Sequence, residues 1–161
     1  MSILTRHRDG AAADEDLLLR IAAGDADAYR VLVERHAPIA YALAFRLCLD
    51  TAAAEATAQK CLVSVWQDSH NWVAENTPFA VRLYASVVGY STCAEPKTSS
   101  GSSLEDAVAM LPPLQRVALT LYYVAQFKPA DIALVLGVTD DDVGILLQRA
   151  RRALRETGIG S

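Results

Sequence analysis

PADIALVLGVTDDDVGILLQRARRALRE, residues Pro129–Glu156, carries two helical runs joined by a short turn around Gly137. Proline at the start of the first run suits an initial helical position, where its missing N–H goes unused. Gly137 closes that run, and Thr139 then stands as the N-cap of the next, with Asp142 three residues on in a capping-box arrangement. The second run, Val138 to Glu156, ends in Arg149, Arg151, Arg152 and Arg155 but begins with Asp140, Asp141 and Asp142. Two helices around a Gly-containing turn, the second ending basic, predict a helix-turn-helix.

Working outward, Leu114, Val117, Leu121 and Val124 recur at spacings of three and four behind Pro113. With a short lead-in from Leu104, this predicts a third helix completing a C-terminal domain over 104–161. Upstream lies EPKTSSGSS, residues 95–103, whose Pro, Gly and five Ser/Thr sustain neither helix nor strand, and it is assigned as a flexible linker.

Residues 14–94 read as a second helical domain, and 1–13 as a disordered tail. Asp14 to Ala23 starts acidic and stops at Gly24. A longer stretch from Asp25 holds Tyr29, Leu32, Val33, Ile39, Leu43 and Leu47 at helical spacing, with Pro38 expected to kink or split it. Thr51 to Gln67 places Ala58, Leu62, Val65 and Trp66 on one stripe, and Pro78 to Cys93 is apolar almost all round. The fold class expected is all-α, with two small helical domains joined by the linker.

Bulk properties bound the function. The 161 residues have a formal net charge of −4, so the chain as a whole does not advertise a nucleic-acid partner. Cys48, Cys61 and Cys93 are odd in number and set among apolar residues, as expected of reduced thiols in a cytoplasmic protein. No apolar run reaches the roughly 18 residues of a membrane span, so a soluble protein without a membrane partner is expected. His36 and His70 lack a second ligand at metal spacing, and there is no Gly-rich phosphate loop or nucleophile–base pairing. No enzyme, metal or cofactor is expected.

Here the chain resembles a family. DEDLLLRIAAGDADAYRVLVERHAPIAYALAFRLCLD (14–50) and AEATAQKCLVSVW (54–66) are similar to the first domain of extracytoplasmic-function (ECF) sigma factors, notably in Gly24-Asp25, Ala28-Tyr29, Leu32 and Pro38. The run from Leu111 to Glu156 resembles the second domain, with Arg116, Asp131-Ile132-Ala133, Leu136-Gly137, Val143 and Arg149-Ala150-Arg151 in order. The resemblance implies a region-two-like bundle and a region-four-like helix-turn-helix. It also implies that bacterial core RNA polymerase docks on Gln59, Leu62 and Trp66. Arg82, Tyr84 and Tyr90 would capture the melted minus-ten strand. Val143, Gln148, Arg149, Arg151, Arg152 and Arg155 would lie on the minus-thirty-five element.

Departures fall at those contact positions. Arg82 stands where the family usually has Trp, and Gly89 and Cys93 where it has Asn and Asp. Ala56 and Lys60 replace acids. Asp142-Val143-Gly144-Ile145-Leu146 stands where Thr-Val-Lys-Ser-Arg is common, so two cations are lost and an acid gained. Acids in a first turn stabilise a helix by about 0.3–1 kcal/mol each, yet a carboxylate near a phosphate costs on the order of 1 kcal/mol. From Leu104 onward six Lys/Arg face seven Asp/Glu, so no basic field compensates. The arginines hold roughly two to four phosphates, which is weak and salt-sensitive binding.

Two functions follow. One is a sigma factor binding core polymerase and, weakly, promoter DNA. The other is a sigma-like interaction protein with degraded DNA recognition, occupying an anti-sigma factor or polymerase.

Overall fold

The computed structural model describes residues 12–91 and 103–158, and among them every regular element is helical. The tail assigned to 1–13 and the linker assigned to 95–103 lie outside the described residues except at 12–13 and 103.

Local chemistry sets the helix ends. Helix α1 (Asp14–Ala22) has Asp14, Glu15 and Asp16 in its first turn, favourable at the positive end of the dipole. Helix α2 (Ala26–Cys48) is capped by Asp25, whose carboxylate accepts from the Ala28 amide at 3.1 Å. Helix α3 (Thr51–Gln67) is capped in the same way by Asp50, which accepts from the Ala53 amide at 2.8 Å. A short helix α4 (Ser69–Ala74), which the hydrophobic spacing does not announce, leads to α5 (Phe79–Tyr90).

The expected split at Pro38 does not occur as a break: α2 runs unbroken through it. Pro38 and Glu34 both lie on the exposed side of α2, so the hydrogen bond that the proline forfeits falls on the solvent side, while Leu32, Ala40 and Leu43 keep the inner face buried.

The first part is a bundle in which α2 is the spine, packed by α1, α3 and α5. The second holds α6 (Leu104–Ala109), α7 (Pro113–Tyr123), α8 (Pro129–Leu136) and α9 (Asp140–Glu156). Val117, Leu121, Ile132 and Val143 are fully enclosed between α7, α8 and α9. Burying each such side chain stabilises by about 1.5–3 kcal/mol. Arg116 is buried beside them and reaches the Ala109 carbonyl, tying α7 to the end of α6.

The two parts also touch. Helix α2 packs on α7 and α5 on α8, with the rings of Tyr84 and Phe127 5.4 Å apart across the join. Cys48 and Cys61 are free and buried; burial pushes the Cys61 thiol up to about 11 against the opposing charge of Lys60. Cys93 lies outside the described residues. No described helix is long and apolar enough to cross a membrane.

Candidate nucleic-acid interface

The α8–α9 pair is held by its turn. Gly137 has φ 68°, a left-handed conformation that costs glycine nothing and terminates α8. Thr139 then opens α9 through a full capping box. Its hydroxyl accepts from the Asp142 amide at 3.1 Å, while the Asp142 carboxylate accepts from the Thr139 amide at 3.0 Å and from its hydroxyl at 2.8 Å. Those hydrogen bonds, the backbone one foremost, hold the Asp142 carboxyl below its ordinary value.

The three acids therefore separate into two kinds. Asp142 is folded back onto the helix end it caps. Asp140 and Asp141 are exposed, and their carboxylates make no hydrogen bond or ion pair to any described residue.

Helix α9 has one buried face, Val143, Leu147 and Ala150, and an outward face of Asp141, Ile145, Gln148 and Arg152. Of the residues nominated for duplex contact, Gln148, Arg149, Arg152 and Arg155 are exposed. Arg152 makes only a surface pair with Glu156 at 3.2 Å, an interaction of small consequence. Arg151 is exposed but held: its Nε donates to the Tyr123 hydroxyl at 2.9 Å, and its guanidinium lies 5.2 Å from the Tyr122 ring. The Tyr123 hydrogen bond raises the arginine pKa further. Val143 is a core residue with no surface to offer.

The residues nominated for single-strand capture are dispersed. Tyr84 is 1% exposed, its hydroxyl 2.8 Å from His36 Nδ1, so in this arrangement no base reaches its ring. Burial, and after it the Asp14 charge, push its phenol upward. Arg82 is clamped by Glu75 at 3.3 Å, by the Asn71 carbonyl at 3.0 Å and over the Trp72 ring at 4.1 Å. Tyr90 is exposed, with the Lys60 ammonium 4.2 Å above its ring. An aromatic ring beside a cation is the chemistry that holds an unpaired base, and here the cation comes from α3.

On α3, Gln59 is exposed and Trp66 is 40% exposed, leaning on Tyr29 with ring centroids 5.3 Å apart. A shallow apolar step forms there with Ala26 and Val63. Leu62 is only 6% exposed and belongs to the bundle core, where its carbonyl accepts from the Tyr29 hydroxyl at 3.0 Å.

Sequence reading did not find the polar knot under the bundle. His36 Nε2 sits 2.9 Å from Asp14, whose other oxygen takes Arg35 at 2.7 Å. Its partners lie 21 to 48 residues apart in the chain, and no local pattern announces such a pairing. A second unannounced feature is a groove of about 510 Å³ between α2 and the C-terminal part, where Arg46, Arg151 and Arg155 rim apolar Leu119, Val124 and Leu154.

A capped helix pair on a tri-helical unit, following a helical bundle in one chain, defines a helix-turn-helix protein of two helical parts. Residues 102–154 match the family model for sigma-70 region 4. The fold is similar to that of CnrH, solved in complex with the cytosolic domain of CnrY. The TM-score is 0.71 at 22% identity, over 90% of this chain and 96% of that one. It is also similar to the sigma factor RpoE, solved with the anti-sigma factor NepR from Bartonella quintana. There the TM-score is 0.64 at 19% identity, over 80% of this chain and 95% of that one. No curated protein sequence matches. The C-terminal part thus carries the match to sigma-70 region 4, and the two-part helical fold of the chain is like those of these two solved proteins.

Proposed function

We propose that this protein is a cytoplasmic sigma factor that binds bacterial core RNA polymerase and brings it to promoter DNA, reading the duplex weakly. The observation that carries this is the region 4 helix pair itself. Beyond its capped turn it exposes Gln148, Arg149, Arg152 and Arg155 along one helix. Gln59 and the Tyr29–Trp66 step form the polymerase-docking surface in this reading, and Tyr90 with Lys60 the single-strand platform.

The test is reconstitution with core polymerase on promoter fragments selected from a random library, across a salt series. A sequence-specific footprint is expected, its affinity falling with salt as for roughly two to four phosphate contacts.

Asp140 and Asp141 favour a second reading. Two unpartnered carboxylates at the leading end of the reading helix oppose phosphate, as befits a sigma-like interaction protein that engages a polymerase or an anti-sigma factor without reading DNA. The solved RpoE is bound to such an anti-sigma factor, and we extend that class of partner to this chain. A polymerase complex that forms but leaves no footprint at any ionic strength selects this reading over the first.

A further inference from the structure

We propose that the outward face of α9 pairs antiparallel with the same face of a second copy of this chain. Asp141, Ile145, Gln148 and Arg152 recur at steps of four, three and four residues, the spacing of a coiled-coil seam. All four are exposed, on the side of α9 opposite Val143, Leu147 and Ala150. Ile145 is 45% exposed in the middle of that stripe.

The charge order along the stripe selects the occupant. Asp141 lies at the leading end and Arg152, which a partner's carboxylate would share with Glu156 at 3.2 Å, at the trailing end, so a uniformly anionic partner meets Asp141 and a uniformly cationic one meets Arg152. A surface that complements both is acidic where this one is basic, and the reverse. The same helix turned end for end is such a surface. About a two-fold axis passing between Leu146 and Leu147, Asp141 of each copy faces Arg152 of the other, and Ile145 faces Gln148. Each ion pair is then made twice, as an isologous interface requires, and the two helix dipoles run antiparallel.

Gly144 supports the close approach this needs. It sits inside α9, where glycine costs about 0.5–1 kcal/mol relative to alanine. Nothing within the chain calls for it, since an added Cβ meets no described atom within 4 Å. It flanks the stripe, where a second helix would pass.

Gln148 and Arg152 are also assigned to duplex contact in the proposed function, so a paired chain does not read DNA with that face; the dimer itself is read without DNA or polymerase, so its failure and the failure of that function are distinguishable. A single helix pair is smaller than a standard interface, so a dimer dissociating at roughly 10–100 µM is expected. Sedimentation equilibrium of the full chain over that range, at low and high salt, reads it directly. Asp141→Arg and Arg152→Asp should each weaken association about tenfold or more, and the double variant D141R/R152D should restore it to within about threefold. Circular dichroism confirms that each variant keeps its helices. A chain that stays monomeric at low salt throughout overturns the pairing. So does a dimer indifferent to the single swaps, a double variant that does not recover, or assembly continuing past two copies as a head-to-tail contact would.

Discussion

Arg151 donates through Nε to the Tyr123 hydroxyl at 2.9 Å, so one of the four arginines of α9, although exposed, is tethered to α7. Replacing Tyr123 by Phe removes that tether and little else, because Tyr123 is exposed. The released guanidinium should add about one counterion to the salt dependence of DNA binding by the polymerase complex. Anisotropy titrations of Y123F and wild type across a salt series measure the slope. Equal slopes would mean that Arg151 does not face phosphate.

The acids of α9 should behave unequally. Asp142→Ala removes half of a capping box and should cost about 0.5–1 kcal/mol of stability, read as a lower urea midpoint. Asp140→Ser with Asp141→Ser leaves the box intact and forfeits only the dipole contribution of the two acids, about 0.3–1 kcal/mol each at low salt and less as salt screens it, while DNA affinity rises, most at low salt. If the loss in D142A is screened away by salt as fully as that of the double variant, Asp142 acts through its charge and not as a cap.

Docking on polymerase calls for Trp66 as the probe. Trp66→Ala trims a side chain that is 40% exposed and should abolish or strongly weaken a pull-down of core polymerase while the bundle stays folded. Leu62→Asp is unsuitable, since it places a carboxylate at a position 6% exposed and should unfold the first part at a cost of several kcal/mol. Retained binding by W66A would remove α3 from the docking surface.

Asp14 sets an acid limit. Burial alone would raise its carboxyl, but the hydrogen bond and charge of His36, and then those of Arg35, hold it below its ordinary 3.8. A depressed carboxyl contributes stability that is fully present above its unfolded value and disappears as pH falls through the lower folded one. Urea midpoints should therefore decline more for wild type than for Asp14→Asn as pH drops from about 4 to about 2. At neutral pH the variant should be less stable by about 1–3 kcal/mol, because His36 and Arg35 keep polar atoms without their partner. Parallel acid profiles would show that the His36–Asp14 contact does not form.

Much of the fold could be read locally. Helical spacing marked α3, α7, α8 and α9, and the Thr139–Asp142 box appeared as its residue types demanded, since caps and turns are decided within four residues. Pro38 did not split α2, because an interior proline is tolerated on the solvent side of a helix, and which side that is depends on the bundle. The short α4 carries too few residues for a period to be seen.

Composition and order determined by themselves that this chain is helical, that it ends in a capped helix-turn-helix, and that α9 mixes acid and base along its length. Only the tertiary structure decided which of those side chains are free. Tyr84 looked like a platform and lies buried against His36, 48 residues away, with Phe127 beside its ring; Arg151 looked like a phosphate ligand and is held by Tyr123, 28 residues away. Availability for contact depends on what packs over a residue from elsewhere in the chain, and periodicity within one helix carries no information about that.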